Sequence, residues 1–147
     1  MPKGIPLTEE ERNQRRLEIA HAAEDLIFEK SFNATSVSQI AKAAGIGKST
    51  FYDFFTNKDE LILLLLEEPL SEITRRAVEI AAREDSVPKR IKHILTMHLR
   101  ILMQDSALIF KLSYEFIRLP EVVRATHQRK QKAYRVVLVN LIEEGIG

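Results

Sequence analysis

The segment TSVSQIAKAAGIGKSTFYDFFTNKDEL, residues 35–61, places two short helical patterns on either side of a glycine turn. In the first pattern, apolar residues recur at helical spacing on one face, namely Val37, Ile40, Ala41 and Ala44. The hydroxyl of Thr35 is placed to accept a bond from an unpaired backbone N–H, which makes Thr35 the predicted N-cap. Gly45 is predicted to end this helix, because glycine enters the left-handed conformation without steric cost.

A second short helix is predicted to begin near Gly47 or Lys48 and to end near Phe55. Ile46, Phe51 and Phe55 are predicted to point inward, against the preceding helices. Two helices of about two turns each, joined by a turn of roughly three residues that contains glycine, predict a helix-turn-helix motif.

The outer side of the second helix is predicted to be short, polar and rich in hydroxyls, with Lys48, Ser49, Thr50, Tyr52 and Asp53. A helix that enters the major groove of DNA presents its N-terminal residues to the base edges. Hydroxyls and exposed N–H groups suit phosphate oxygens, and a lysine reaches either phosphates or guanine acceptors. This pattern therefore favours a DNA-binding helix.

The rest of the chain also has helical spacing, so an all-α fold is predicted. Thr8 and Glu11 have the spacing of a capping box at the start of a first helix over residues 9–30. Asn57 is the predicted N-cap of a long fourth helix. Pro69 is predicted to kink or break that helix, because proline loses a backbone hydrogen bond and clashes with the preceding turn. Three further helices are predicted over residues 87–104, 107–118 and 121–144.

Composition and charge exclude several classes of protein. The chain has 147 residues, a net charge of +1 and no cysteine, so disulfides, thiolate metal ligands and cysteine catalysis are excluded. The longest apolar run, residues 61–66, is far shorter than the roughly 20 residues of a membrane helix. These features favour a cytoplasmic protein without a membrane partner. Residues 1–58 hold eight Lys or Arg and eight Asp or Glu, so DNA binding must depend on where the charges lie.

Patterns of catalytic or metal sites are not found in the sequence. The four histidines lack the spacing of metal ligands. Phosphate-loop, dinucleotide-binding and nucleophile-elbow patterns are also missing. We therefore predict that the protein is not an enzyme and that it carries neither a metal nor a cofactor.

Residues 35–61 strongly resemble the DNA-binding domain of the tetracycline-repressor (TetR) family of bacterial regulators. The matching features are the helix start at residues 35–41, the Ala-Gly-Ile turn at 44–46, the Thr-Phe-Tyr core at 50–52 and the exit at 55–61. The resemblance is specific over about residues 15–62 and architectural beyond them. It implies an N-terminal three-helix DNA-binding domain followed by a helical bundle.

The resemblance also implies which residues touch DNA. Four are implied to contact phosphates: Ser36, Thr50, Tyr52 and Lys58. Three are implied to lie nearest the bases: Val37, Lys48 and Ser49. Three positions depart from the family pattern: Ser31 replaces a common glycine, Gly47 replaces the usual serine cap, and Asp53 adds a negative charge. Asp53 either accepts a hydrogen bond from cytosine N4 or lies off the groove.

Two groups of basic residues have more than one interpretation. The first is Arg12, Arg15 and Arg16, which either add contacts to the DNA backbone or form a solvated face. Glu11 and Glu18 lie at helical pairing distances from Arg15, which supports the second interpretation. The other group is the basic segment 124–135, which we interpret as a solvated face rather than a second nucleic-acid patch.

The predicted organisation is a helix-turn-helix domain over residues 1–58 and a helical effector-binding and dimerisation domain over residues 59–147. The resemblance implies a transcriptional regulator, usually a repressor, that binds a near-palindromic operator as a homodimer. The alternatives are a DNA-coating or protein-recruiting factor of the same fold, and a helical module that does not bind DNA. The family usually dimerises through helices that follow this region. Either the natural chain continues past Gly147, or residues 107–144 form the dimer.

A small-molecule effector is an expected partner of the second domain. Flexible methionine and aromatic side chains suit an apolar or amphipathic ligand. The candidate pocket residues are Leu99, Leu102, Met103, Phe110, Tyr114 and Ile117. Such residues more often form the core of a helical bundle, so both interpretations stay open.

Overall fold

Seven α-helices make up the part of the chain that the structure describes. The computed structural model describes residues 4–104 and 106–147, without the side chains of residues 106, 108, 109 and 112. The helices are α1 Glu9–Lys30, α2 Val37–Ala43, α3 Lys48–Phe54, α4 Lys58–Ala81, α5 Val87–Gln104, α6 Ser106–Phe116 and α7 Glu121–Ile146. The described residues contain no strand, which confirms the predicted all-α fold.

The chain divides into two compact units within α4, since the first ends at Leu65 and the second begins at Leu66. In the first unit, α2 packs on α1 and α3 packs on both. Its buried core includes Ile19, Ala23, Ile27, Phe32, Ile40, Phe51, Phe55, Leu61 and Ile62. Each large apolar side chain removed from water contributes roughly 1.5–3 kcal/mol, so this core is what holds α2 and α3 against α1.

α2 begins at a different cap from the predicted one, because Ser36 and not Thr35 is its N-cap. The Ser36 hydroxyl accepts from the Gln39 N–H at 3.1 Å, and the Gln39 side-chain oxygen accepts from the Ser36 N–H at 2.9 Å. Thr35 is buried, and its hydroxyl donates to the Ser31 carbonyl at 2.6 Å. The prediction for Thr35 was wrong because only Ser36 has a glutamine three residues ahead to complete the capping box.

The turn between α2 and α3 closes at Gly45, as predicted. Gly45 has a φ of 69°, in the left-handed region. Its N–H donates to the Lys42 carbonyl at 3.1 Å, and the Ile46 N–H donates to the Ala41 carbonyl at 3.0 Å. These two bonds form a Schellman motif, which ends α2 and fixes the direction in which the chain enters α3.

The turn between α1 and α2 stores backbone strain at Ser31. Ser31 has a φ of 103° and a ψ of 159°, a region that only glycine adopts readily. It is the one non-glycine residue with positive φ in the described part of the chain. The serine that departs from the family pattern therefore sits in a conformation suited to glycine.

We expect Ser31→Gly to raise the free energy of unfolding by about 1 kcal/mol. Relief of roughly 1–3 kcal/mol of strain outweighs the loss of one hydrogen bond, worth about 0.5–1.5 kcal/mol. That bond runs from the Ala34 N–H to the Ser31 hydroxyl at 3.2 Å. Ser31→Ala is the control, because it loses the same bond and keeps the strain. Urea denaturation compares them, and a Ser31→Gly protein less stable than Ser31→Ala would show that the turn is unstrained.

α4 is one continuous helix through Pro69, so of the predicted kink or break the break does not occur, while the kink stays a prediction. Proline removes only one backbone donor, while buried side chains hold the helix on both sides, with Leu65 before it and Ile73 after it. The predicted cap is confirmed, since the Asn57 side-chain oxygen accepts from the Glu60 N–H at 3.1 Å.

The second unit has a separate core built from α4, α5 and α7. Its buried members are Ile73, Ala77, Ile80, Ile94, Met97, Tyr134 and Leu141. The buried Arg90 guanidinium donates to the Ala81 carbonyl at 2.8 Å and pairs with Glu144, which joins the end of α4 to α5 and α7. The described helices include none with the length and apolar character to cross a membrane.

Candidate nucleic-acid interface

α3 buries one face and exposes the other. Phe51 is fully buried, and Phe55 stacks on it with ring centroids 5.3 Å apart. Tyr52 meets Phe51 edge to face, with ring centroids 5.4 Å apart, yet half of its surface is exposed. The core therefore takes the phenylalanines and leaves the phenol of Tyr52 at the surface, which confirms that α3 is amphipathic.

We call the opposite side of α3 the α3 outer face. Its residues are Lys48, Ser49, Thr50, Tyr52 and Asp53, all exposed except Thr50, which is half-buried. Gly47 supplies no side-chain cap to the first turn, as the sequence indicated. A cation and three hydroxyls thus share one short helical surface, a combination that suits DNA phosphates and base edges.

Two further predicted contacts lie at the start of α2. Ser36 is exposed, and its hydroxyl accepts a bond within the capping box. A hydroxyl that accepts one bond still has its own hydrogen to donate, so Ser36 retains a donor for a phosphate oxygen. Val37 is the first residue of α2 and is half-buried. The cap of α2 therefore leaves the predicted role of Ser36 chemically open.

Lys58 has surroundings that the sequence did not indicate. Its ammonium donates to the carbonyls of Phe32 and Thr35, both at 3.0 Å, and lies 3.4 Å from that of Asn33. It also lies 4.7 Å from the centroid of the Phe32 ring. An ammonium has three protons, so one lysine can donate to several carbonyls at once. Lys58 thereby links the start of α4 to the loop before α2. A phosphate contact from Lys58 stays a prediction, and it requires that the ammonium release a carbonyl.

Arg12 and Arg16 contact α3. Arg12 Nη2 donates to the Asp53 carbonyl at 2.6 Å, and Arg16 Nε donates to the Phe54 carbonyl at 3.1 Å. Arg15 instead pairs with Glu18 at 3.3 Å on an exposed surface, as the solvated-face interpretation expects. Sequence spacing could not reveal the first two contacts, because their partners are backbone carbonyls 41 and 38 residues away.

Glu60 extends this network from α4. Its carboxylate accepts from the Thr56 N–H at 2.9 Å and lies 3.8 Å from the Arg16 guanidinium. The Thr56 hydrogen bond holds the pKa of Glu60 below its ordinary value, against the opposing effect of partial burial, and the charge of Arg16 lowers that pKa further. Glu60 is therefore ionised at neutral pH and pairs with Arg16.

The structure does not gather the candidate effector residues around an enclosed space. Leu99, Met103, Phe110, Tyr114 and Ile117 are all at least 60% exposed. Leu102 is half-buried and packs against the core of the second unit. Most of these side chains are thus exposed, on α5, on α6 and directly after α6, and a pocket lined by them stays a prediction.

The basic segment 124–135 lies on α7. Lys130 pairs with Glu67 at 2.6 Å, and Arg129 donates to the Thr126 hydroxyl at 3.1 Å. Lys130 therefore pairs with a residue of α4 and Arg129 with one of its own helix, while Arg124 is half-buried, so the interpretation of a solvated face fits the exposed residues of the segment and not all of it. Across residues 4–104 and 106–147, no group of three or more His, Asp or Glu side chains is arranged to hold a metal ion.

Residues 19–65 match the family described as bacterial regulatory proteins, tetR family. Most of the chain is similar to the fatty acid metabolism regulator protein of Bacillus subtilis. The two are 24% identical over 136 residues, which cover 92% of this chain and 70% of that protein. The matched family segment contains α2, α3 and the start of α4, and so includes the α3 outer face.

Solved structures of similar proteins have the same architecture. One is the fatty acid degradation regulator FadR of Bacillus halodurans, with a TM-score of 0.77 and 26% identity over 89% of this chain and 68% of that one. Another is FadR from Bacillus subtilis in complex with stearoyl-CoA, with a TM-score of 0.77 and 25% identity over 88% of this chain and 70% of that one. The helix-turn-helix geometry, the matched segment and the architecture agree: residues 19–65 match the TetR family of bacterial regulators, and the described helices share the fold of the similar solved structures.

Proposed function

We propose that this protein is a transcriptional repressor that binds a near-palindromic operator as a homodimer and leaves it when a fatty acyl-CoA binds. The observation that carries DNA binding is the α3 outer face, where a lysine and hydroxyl side chains are exposed on a helix whose other side is buried. A dimer would place two such helices in successive major grooves, about 34–36 Å apart.

The contacts to DNA divide into two groups in this proposal. Ser36, Thr50 and Tyr52 donate to phosphates and fix the register of the protein on the duplex. Val37, Lys48 and Ser49 lie nearest the base edges and supply sequence preference. Lys58 joins the first group only if it exchanges one of its carbonyl partners for a phosphate oxygen.

The proposed effector class is suggested by two relatives and by the second unit. The Bacillus subtilis relative is a fatty acid metabolism regulator, and the solved structure of FadR from Bacillus subtilis contains stearoyl-CoA. A long acyl chain needs apolar side chains, and the second unit exposes several on α5 and α6. α4 contributes buried residues to both cores, so a ligand that prefers one arrangement of α4 would change the affinity for DNA.

Fluorescence anisotropy with the DNA that flanks the gene tests the proposal. We expect binding that weakens steeply as salt rises, because phosphate contacts release counterions. Stearoyl-CoA should release the DNA, while free coenzyme A, the control, should not. If the protein stayed bound to DNA in the presence of acyl-CoAs of every chain length, a DNA-coating factor would be favoured over a ligand-responsive repressor. Lack of any salt-dependent binding to duplex DNA would contradict the proposal as a whole.

A further inference from the structure

We infer that Arg12 and Arg16 are positioning residues that set the orientation of α3 by holding its C-terminal end, instead of contacting DNA phosphates. The inference rests on the proposed DNA-binding function, because its main consequence is for operator preference. Both arginines lie in the first unit with the helix that they contact.

α3 has little to hold it in place apart from its buried face. It contains seven residues, and Gly47 gives its first turn no side-chain cap. The last carbonyls of any helix lack partners within the helix. Here the carbonyls of Asp53 and Phe54 accept from Arg12 at 2.6 Å and from Arg16 at 3.1 Å. Positive charge at this end is also favoured by the helix dipole.

Aromatic rings fix the same two guanidinium groups from another side. Arg12 Cζ lies 5.2 Å from the centroid of the Phe54 ring, and Arg16 Cζ lies 4.8 Å from that of Phe55. A flat guanidinium can stack on a ring and donate in its plane at the same time. Each arginine therefore contacts both the backbone and an aromatic side chain at the end of α3.

α1 provides a rigid base for these contacts. Arg12 and Arg16 are four residues apart, so they share one face of α1. The same helix buries Ile19, Ala23 and Ile27 in the core of the first unit. Arg16 is held further by Glu60 of α4, 3.8 Å away. The end of α3 is thus fixed to two helices that belong to the core.

Base contacts depend on the position of a helix more strictly than phosphate contacts do, since base edges are read by directed hydrogen bonds. Loss of a positioning arginine should therefore weaken operator binding more than binding to an unrelated duplex. Loss of a phosphate contact would instead weaken both duplexes alike and lower the salt slope by about 0.9.

The experiment compares Arg12→Gln and Arg16→Gln with Arg15→Gln. The control removes the same charge from the same helix, but its arginine pairs with Glu18 on the exposed surface, and no bond from it to α3 is seen among the described residues. Anisotropy titrations of the operator and a scrambled duplex at several salt concentrations give two quantities. One is the salt slope, and the other is the Kd ratio, which is the Kd for the scrambled duplex divided by the Kd for the operator. We expect the ratio to fall about tenfold for the Arg12 and Arg16 variants and to hold for the control. Their salt slopes should match that of the control.

A second measurement needs no DNA. Amide hydrogen exchange in residues 51–55 reports opening of the end of α3, where the Phe55 N–H donates to the Phe51 carbonyl at 3.0 Å. We expect exchange there to be about tenfold faster in Arg12→Gln and Arg16→Gln than in the unmodified protein. Exchange in Arg15→Gln should equal that of the unmodified protein.

Two results would overturn the inference: exchange equal to that of the control, or an unchanged Kd ratio. An unchanged ratio with equal losses on both duplexes and a lower salt slope would identify the arginines as phosphate contacts. If the unmodified protein bound no DNA, the proposed function would fail, while the exchange measurement would still decide whether the arginines hold α3.

Discussion

Replacement of Phe51 by alanine is expected to destabilise the first unit by about 3–5 kcal/mol and to weaken operator binding. Phe51 is fully buried, and its ring contacts those of Phe55 and Tyr52. A buried Phe→Ala change costs about 3–5 kcal/mol, because it removes apolar contacts and leaves a cavity. Small domains have total stabilities of roughly 5–15 kcal/mol, so this loss is a large part of the whole.

Urea denaturation followed by circular dichroism measures the effect of Phe51→Ala. Phe28→Ala is a matched control, because Phe28 lies in the same unit and is half exposed. A surface change of this kind is expected to cost about 0.5 kcal/mol or less. Equal stability of the two variants would show that Phe51 is not the anchor of α3.

The second large effect is expected on DNA recognition. Lys48→Ala should cost about 1–3 kcal/mol of operator affinity and relax the preference at the base pair that Lys48 contacts. The fold should be unaffected, because Lys48 is exposed and lies in the first turn of α3. Anisotropy titrations against operators with single base-pair changes measure both effects.

Lys132→Ala is the control for this experiment, since Lys132 is an exposed lysine on the basic face of α7. It is expected to leave operator affinity unchanged. If Lys48→Ala instead weakened binding to every sequence equally, Lys48 would contact phosphate and not a base. If Lys132→Ala gave the larger loss, the basic segment of α7 would be the DNA surface.

Much of the first unit was predictable because its signals are local. The capping box between Thr8 and Glu11 forms as expected, with bonds of 2.8 and 3.1 Å. The positive φ of Gly45 and the burial of Phe51 also follow from residue type and helical spacing. The composition of the α3 outer face was equally visible, since residues three and four apart share a side of a helix.

The remaining features depend on partners distant in sequence or on competition between equivalent groups. Lys58, Arg12 and Arg16 all bond to backbone carbonyls, which every residue has and no pattern marks. Thr35 and Ser36 both offer a hydroxyl, and the choice between them depends on Gln39. Burial of the apolar residues of α5 and α6 depends on what packs over them, so helical spacing alone did not distinguish core from surface.

The most direct test of the central claim is cleavage of operator DNA by an iron chelate attached to α3. The chain has no cysteine, so Asp53→Cys provides one unique attachment point on the α3 outer face, and Lys132→Cys provides one on α7. Hydroxyl radicals from the chelate at residue 53 should cut two groups of sites about one helical turn, or 34–36 Å, apart. Cleavage from residue 132 with none from residue 53 would contradict the placement of α3 in the major groove.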